Sequence, residues 1–328
     1  MDFRTELIPS PPDWTIGLND PIITFGSCFS DTIGKELLHN KFQALVNPFG
    51  TTYHPLAIGR LIEYACLLEE PGPQTYFLRE GMALNYDFHS RFSGSTMDEL
   101  RELIRQRITQ VNTALGSAAV VMITYGTAWL YEKVDDGQAV ANCHRMPGNL
   151  FRKRLVSVDA ITASFRKTLG RLRTINPRIR VILTVSPVRH SKDTLPLNSV
   201  SKATLLLACH QLSATEPSVT YFPAYELLMD DLRDYRFYGS DLIHPSPVAE
   251  AYIWDKFNST YFAKDTREVL ETWTDLRQAL GHRPFHPGTD AHQQFLLKTI
   301  QRLEALLPRI DVQDEISALR SQLKHQPA

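Results

Sequence analysis

Two kinds of apolar pattern alternate along the chain. Short continuous apolar runs recur at 21–26, 42–46, 118–125, 180–186 and 219–222. Elsewhere apolar positions return every three or four residues: at 30–40, from Pro55 through Ile58, Leu61, Ile62 and Ala65, and at 95–115, 157–174, 197–215 and 246–262. The first pattern suits strands buried on both faces, and the second suits helices with one apolar side. Their alternation predicts a doubly wound, mostly parallel α/β sheet covered by helices on both faces. Local signals agree. Pro55 stands where a helix tolerates proline, in its first turn. Ser95-Thr96-Met97-Asp98-Glu99 reads as a capping start. Residues 75–93 alternate and carry aromatics, which predicts a hairpin or paired segments around Gly81. Residues 138–142 read as another strand. Residues 1–19 read as an irregular lead-in, because Pro9, Pro11 and Pro12 oppose helix.

Beyond about residue 264 the strand pattern stops. Helices are expected over 265–280, 290–307 and 311–325, with a His/Pro/Gly-rich break over 281–289. Leu296, Ile300, Leu303 and Leu307 share one face, as do Ile316, Leu319 and Leu323. The expected organisation is an α/β unit over 1–263, with inserted helices and a hairpin at about 55–117, and a helical extension over 264–328. The extension would pack on the core or on a second copy of the chain, making a homo-oligomer.

Composition narrows the function. Thirty-five Lys and Arg balance 36 Asp and Glu, so no net field recruits nucleic acid or an anionic membrane. No apolar run reaches the length of a membrane span. The first residues lack the basic-then-apolar profile of a signal peptide, so a cytoplasmic protein is expected. Cys28, Cys66, Cys143 and Cys209 are scattered and form no CxxC pair, which argues against a disulfide framework or structural zinc. No HExxH or paired-His spacing is present, and no metal or cofactor is expected.

Two stretches carry the candidate chemistry. In the first, an apolar run ends at Gly26, Ser27 and Cys28 follow, and a helical pattern begins at Asp31. Such a strand-turn-helix places side chains at the carboxyl end of a strand, where open α/β sheets bind ligands. It also places them at the positive end of a helix, which is expected to lower a thiol pKa. In the second, Asp241 and His244 lie three residues apart just before a helix. At that spacing the carboxylate can hold one imidazole nitrogen and leave the other to activate a nucleophile.

Gly26-Ser27-Cys28-Phe29-Ser30 nearly spells the signature of the GSCFA family, with Ser where the fifth letter is Ala. Asn47-Pro48-Phe49-Gly50, Phe88-His89-Ser90-Arg91-Phe92-Ser93, Tyr125-Gly126-Thr127-Ala128-Trp129, Asn142-Cys143-His144, Ser186-Pro187-Val188-Arg189-His190 and Asp241-Leu242-Ile243-His244-Pro245 also resemble that family. The resemblance covers about residues 20–262. It implies an α/β/α sandwich of the SGNH/GDSL hydrolase type, a fold of esterases, lipases and O-acyltransferases. Laid on the wider SGNH pattern, Cys28 takes the nucleophile position, with Ser27 the alternative one residue earlier. Asp241 and His244 take the orienting and base roles. Gly50 matches a glycine whose N–H helps hold an oxyanion. Ala128 stands where that pattern has an oxyanion-binding Asn, leaving Thr127, Asn47 or Asn142 as candidate donors.

His144 and Arg189 lie in loops expected near the strand ends, with His54, His89, His190, Arg91, Arg145 and Arg236. They would either form a polar pocket for an acyl-donor phosphate or a sugar, or brace the loops. The resemblance therefore implies an esterase or O-acyltransferase working through a covalent acyl-enzyme on a small ester or an acylated carbohydrate or lipid. Its partners would be a small-molecule ester or acyl donor and an acceptor. The missing Asn and the Gly-Ser-Cys variation fit, alternatively, a catalytically inactive binding module on the same fold.

Overall fold

The computed structural model describes residues 4–282, 285 and 289–323. Residues 1–3 of the expected lead-in, 283–284 and 286–288 of the expected break, and 324–325 of the expected last helix lie outside the described residues.

Five parallel strands form the central sheet among the described residues: β1 (Ile22–Gly26), β2 (Ala44–Val46), β5 (Val120–Tyr125), β9 (Arg180–Val185) and β10 (Val219–Phe222). They lie in the order β10-β9-β5-β1-β2. From β1 the chain goes to one side to make β2, then crosses to the other to make β5. That reversal opens a crevice at the carboxyl ends of β1 and β5, where doubly wound sheets bind ligands. Register places Gly26 opposite Thr124, and Thr124 opposite Thr184, so three strand ends lie side by side there.

The period-two geometry of strands sorts the apolar residues onto two faces. Ile22, Val120, Met122 and Ile182 enter one hydrophobic cluster; Ile23, Phe25, Val121, Ile123, Val181 and Leu183 enter the other. The second face is covered by α2 (Pro55–Leu67), α3 (Met97–Ser117), α4 (Val158–Ile175) and α5 (Leu195–Thr215). The first is covered by α1 (Cys28–His39), by α6 (Ala224–Glu226) with the π-helix over Leu227–Leu232 that continues it, and by α7 (Pro247–Tyr261). The C-terminal helices α8 (Lys264–Leu280), α9 (Asp290–Leu306) and α10 (Gln313–Arg320) bury Leu270, Trp273, Leu303 and Ile316 in that same first cluster. Trp273 Nε1 donates to His39 O at 2.8 Å, and Lys41 pairs with Glu315 at 2.6 Å, so the extension is seated on the end of α1.

The lead-in is irregular, as expected, yet not loose. Trp14 and Ile16 are buried, and Ile16 N–H donates to Tyr261 O at 2.7 Å. The expected hairpin is β3 (Tyr76–Arg79) with β4 (Met82–Asn85).

Around the expected strand at 138–142 the fold differs in extent. Only Ala139–Val140 is strand (β7). It edges an antiparallel sheet with β6 (Trp129–Lys133) and β8 (Phe151–Leu155), neither of which the apolar pattern predicts. These strands escape notice because half of their positions are charged. Glu132 is buried between Arg152 and Arg154 from the neighbouring strand, at 3.0 and 2.6 Å, so cross-strand charge pairing replaces part of an apolar face.

Candidate active site

The turn after β1 is tied from three directions. Gly26 has φ +141, and a Cβ there would meet Thr124 O at 2.2 Å, so only glycine lets the strand turn this close to β5. Gly26 N–H donates to Asn47 Oδ1 at 2.8 Å, Ser27 N–H to Thr124 O at 3.1 Å, and Thr52 N–H to Gly26 O at 2.9 Å. Helix α1 then starts at Cys28.

This anchoring turns Cys28 toward the crevice and Ser27 away from it. Cys28 Sγ lies 3.6 Å from His244 Nε2. His244 Nδ1 lies 2.7 Å from Asp241 Oδ2, while Asp241 Oδ1 accepts the backbone N–H groups of Ile243 and His244 at 2.9 and 3.0 Å. With its proton on Nδ1, the imidazole offers a lone pair on Nε2 to the thiol. The Ser27 hydroxyl is buried without a hydrogen-bond partner. Of the two nucleophile candidates, only Cys28 faces His244.

Electrostatics correct one expectation. The His244 ring and two backbone donors hold the Asp241 carboxyl down at about 2, so it is ionised throughout the neutral range. The Cys28 thiol, by contrast, is pushed up. Burial is the largest cause and the Asp31 carboxylate the next; they outweigh the Phe29 and Cys28 backbone N–H groups that favour the thiolate. The helix N-terminus helps, but it does not make a resting thiolate. Ionising Cys28 therefore requires a base, and His244 Nε2 is in place.

The proposed oxyanion donors fare differently. Gly50 N–H already donates to Asn47 O at 2.8 Å. Its glycine is explained by φ +84 and by the approach of His89, whose Cβ would lie 2.4 Å from an added Cβ. The Asn47 amide is engaged by Gly26 N–H and by Asp31 Oδ1, the latter at 2.7 Å. Asn142 Nδ2 donates to Ser90 Oγ at 3.1 Å, and its Oδ1 accepts His144 N–H at 2.8 Å. His144 bridges Ser90 Oγ and Asn85 O, at 3.0 and 2.8 Å. All four brace loops, and none lines the cleft beside Cys28.

That cleft, of about 460 Å³, brings together Cys28, His244, Thr127, Arg189, His54 and His190 among the sequence candidates. Thr127 Oγ1 shares a hydrogen bond with Ser201 Oγ at 3.1 Å and accepts Trp129 N–H at 3.1 Å. The Arg189 guanidinium lies over the Tyr238 ring, 4.2 Å from its centroid. The charge-paired sheet supplies an apolar wall, with Trp129 and Tyr131 under the Lys153 ammonium, which pairs with Asp193. Burial pushes the imidazoles of His54 and His190 down to about 3 and about 4, so both are neutral here. Among the described residues no cluster of three or more His, Cys, Asp or Glu could hold a metal ion.

One charged group went unnoticed in the sequence. Lys202 is only 1% exposed, at the carboxyl ends of β5 and β9. The single sequence signal is its phase: it shares the α5 face of Leu205, Cys209 and Leu212, where an apolar residue is expected.

Residues 21–257 match the model of the GSCFA family. The chain belongs to the GSCFA family. Residues 273–325 match a second model, described as the C-terminal domain of GSCFA domain proteins. No curated protein matches the chain. Two solved structures are similar to it at a low level. A carbohydrate esterase family 2 enzyme with a carbohydrate binding domain from Corynascus thermopiles (Myceliophthora fergusii) is 13% identical, covering 81% of this chain and 69% of that one, with a TM-score of 0.38. A carbohydrate esterase family 3 structure from Talaromyces cellulolyticus is 10% identical, covering 78% and 99%, with a TM-score of 0.35. Likeness at this level carries nothing about the reaction.

Proposed function

We propose that this GSCFA protein is an esterase or O-acyltransferase working through a thioester on Cys28. The observation that carries the reading is the continuous path from Cys28 Sγ to His244 Nε2 and from His244 Nδ1 to Asp241, opening into the cleft. His244 takes the thiol proton as Sγ attacks the ester carbonyl. The tetrahedral adduct collapses, the C–O bond breaks, and His244 returns the proton to the departing alcohol. Water or an acceptor alcohol then gives its proton to His244 and attacks the thioester, and Cys28 leaves to be reprotonated. Asp241 stays ionised, holds the tautomer and balances the imidazolium. The N–H groups of Cys28 and Phe29 act on Sγ. They belong to the first turn, whose donors the helix leaves unpaired, and they are our candidates for the oxyanion.

Turnover of p-nitrophenyl acetate tests the reading. Cys28→Ala and His244→Ala are expected to lose about 10³-fold or more in kcat, whereas Ser27→Ala loses less than about tenfold. Full activity in Cys28→Ala would move the nucleophile elsewhere. No turnover of any short ester by the wild type would favour a binding module.

A further inference from the structure

Two of the three strand ends at the crevice, those of β5 and β9, share one buried charge. Lys202 Nζ donates to Gly126 O at 2.8 Å and to Ser186 O at 2.6 Å, the residues that directly follow β5 and β9. Next to β5 is the end of β1, where Ser27 N–H donates to Thr124 O. The ammonium is thus one strand away from the Cys28 turn. Its hydrogen-bond partners are neutral carbonyls, with no carboxylate among them. Two carbonyl dipoles satisfy the N–H groups but do not neutralise a fully buried charge, and an uncompensated buried ammonium is costly. A plain tie between two strands would not need a charge.

We propose that Lys202 is a positioning residue of the site. Its buried ammonium fixes the ends of β5 and β9, and its charge favours the negative charge that forms on Cys28. This rests on the reading of Cys28 as nucleophile. Cys28 faces the site from α1, with the Asp31 carboxylate acting on it from behind the turn; His190 lies in the loop after β9, His244 reaches Cys28 from the loop before α7, and the Tyr225 ring lies 5.8 Å from Nζ. Burial pulls Lys202 down to about 7, and a Cys28 thiolate pulls it back up. The coupling is reciprocal, so each ionisation favours the other. While Lys202 is charged it favours the thiolate; once neutral it does not.

The test is the rate of iodoacetamide alkylation at Cys28, read by peptide mass spectrometry across pH in the wild type, Lys202→Gln and Lys202→Met. Gln keeps an amide donor without the charge, and Met removes both. His244 and Asp31 are common to all three proteins, so the ratio of wild-type to variant rate isolates Lys202. The ratio is expected to be about threefold or more at pH values below about 7 and to fall toward one above it. A ratio of one throughout, or a constant ratio in folded variants, would make Lys202 a structural tie and overturn the proposal. Should both substitutions unfold the chain, the His244→Ala protein decides. With Lys202 coupled, its alkylation profile flattens as Lys202 deprotonates, because thiolate with ammonium and thiol with amine hold the same number of protons. A single unbroken rise overturns the coupling. Alkylation needs no ester, so an inactive protein that still shows the pH-dependent ratio would sink the esterase reading and keep Lys202's role.

Discussion

At Asp241 and His244 the geometry is local, and so is its consequence. One carboxylate accepts the imidazole N–H and two backbone N–H groups, which holds its pKa near 2. The sign follows from the depressed value. The pair's contribution is present above the ordinary carboxylate range and is lost as pH falls through about 2. In a carboxyl-carbon NMR titration, Asp241 should titrate near 2 in the wild type and move upward in His244→Ala, where only the backbone donors remain. An unmoved midpoint would mean that the imidazole does not hold the carboxylate. This pair was legible in the sequence because three-residue spacing alone allows the contact. The choice between Ser27 and Cys28 was not, since a tight turn can present either side chain. It is the anchoring of Gly26 to Asn47 and of Ser27 to Thr124 that directs the thiol outward. Nor could spacing reveal that burial and Asp31 outweigh the helix end at the thiol.

Among the elements, the loop after β2 does more than the turn glycine suggested. Asn47 joins the end of β1 to α1 through Gly26 N–H and Asp31, and Arg91 holds the Asn47 carbonyl from a second loop. The motif residues Asn47, Gly50 and Arg91 therefore shape the Cys28 turn from behind. Asn47→Ala strands the buried Gly26 N–H and is expected to cost about 2–4 kcal/mol in chemical denaturation, with a fall in activity. A cost below about 0.5 kcal/mol would show that the clamp is dispensable. The five core strands and their helices were readable because continuous apolar runs have few other uses. The cleft wall was not, because β6 and β8 hide their pairing behind Glu132, Arg152 and Arg154, whose partners are decided only in three dimensions.

Across the whole molecule, the sheet order puts the crevice at the β1/β5 reversal, and both stretches singled out in the sequence converge there from more than two hundred residues apart. The helices beyond residue 264 cover the face that carries α1, the helix that begins at Cys28. No helix among the described residues is long and apolar enough to cross a membrane. The fold therefore seats a thiol, an imidazole and a carboxylate at one mouth, with the Lys202 ammonium beneath and an aromatic wall beside them. Rapid quenching of the protein with p-nitrophenyl acetate, followed by peptide mass spectrometry, tests that arrangement most directly. The account predicts one acetyl group on the peptide bearing Cys28, released by hydroxylamine and absent from Cys28→Ala. Acetylation at Ser27, or unmodified Cys28 while the ester is being turned over, would contradict it.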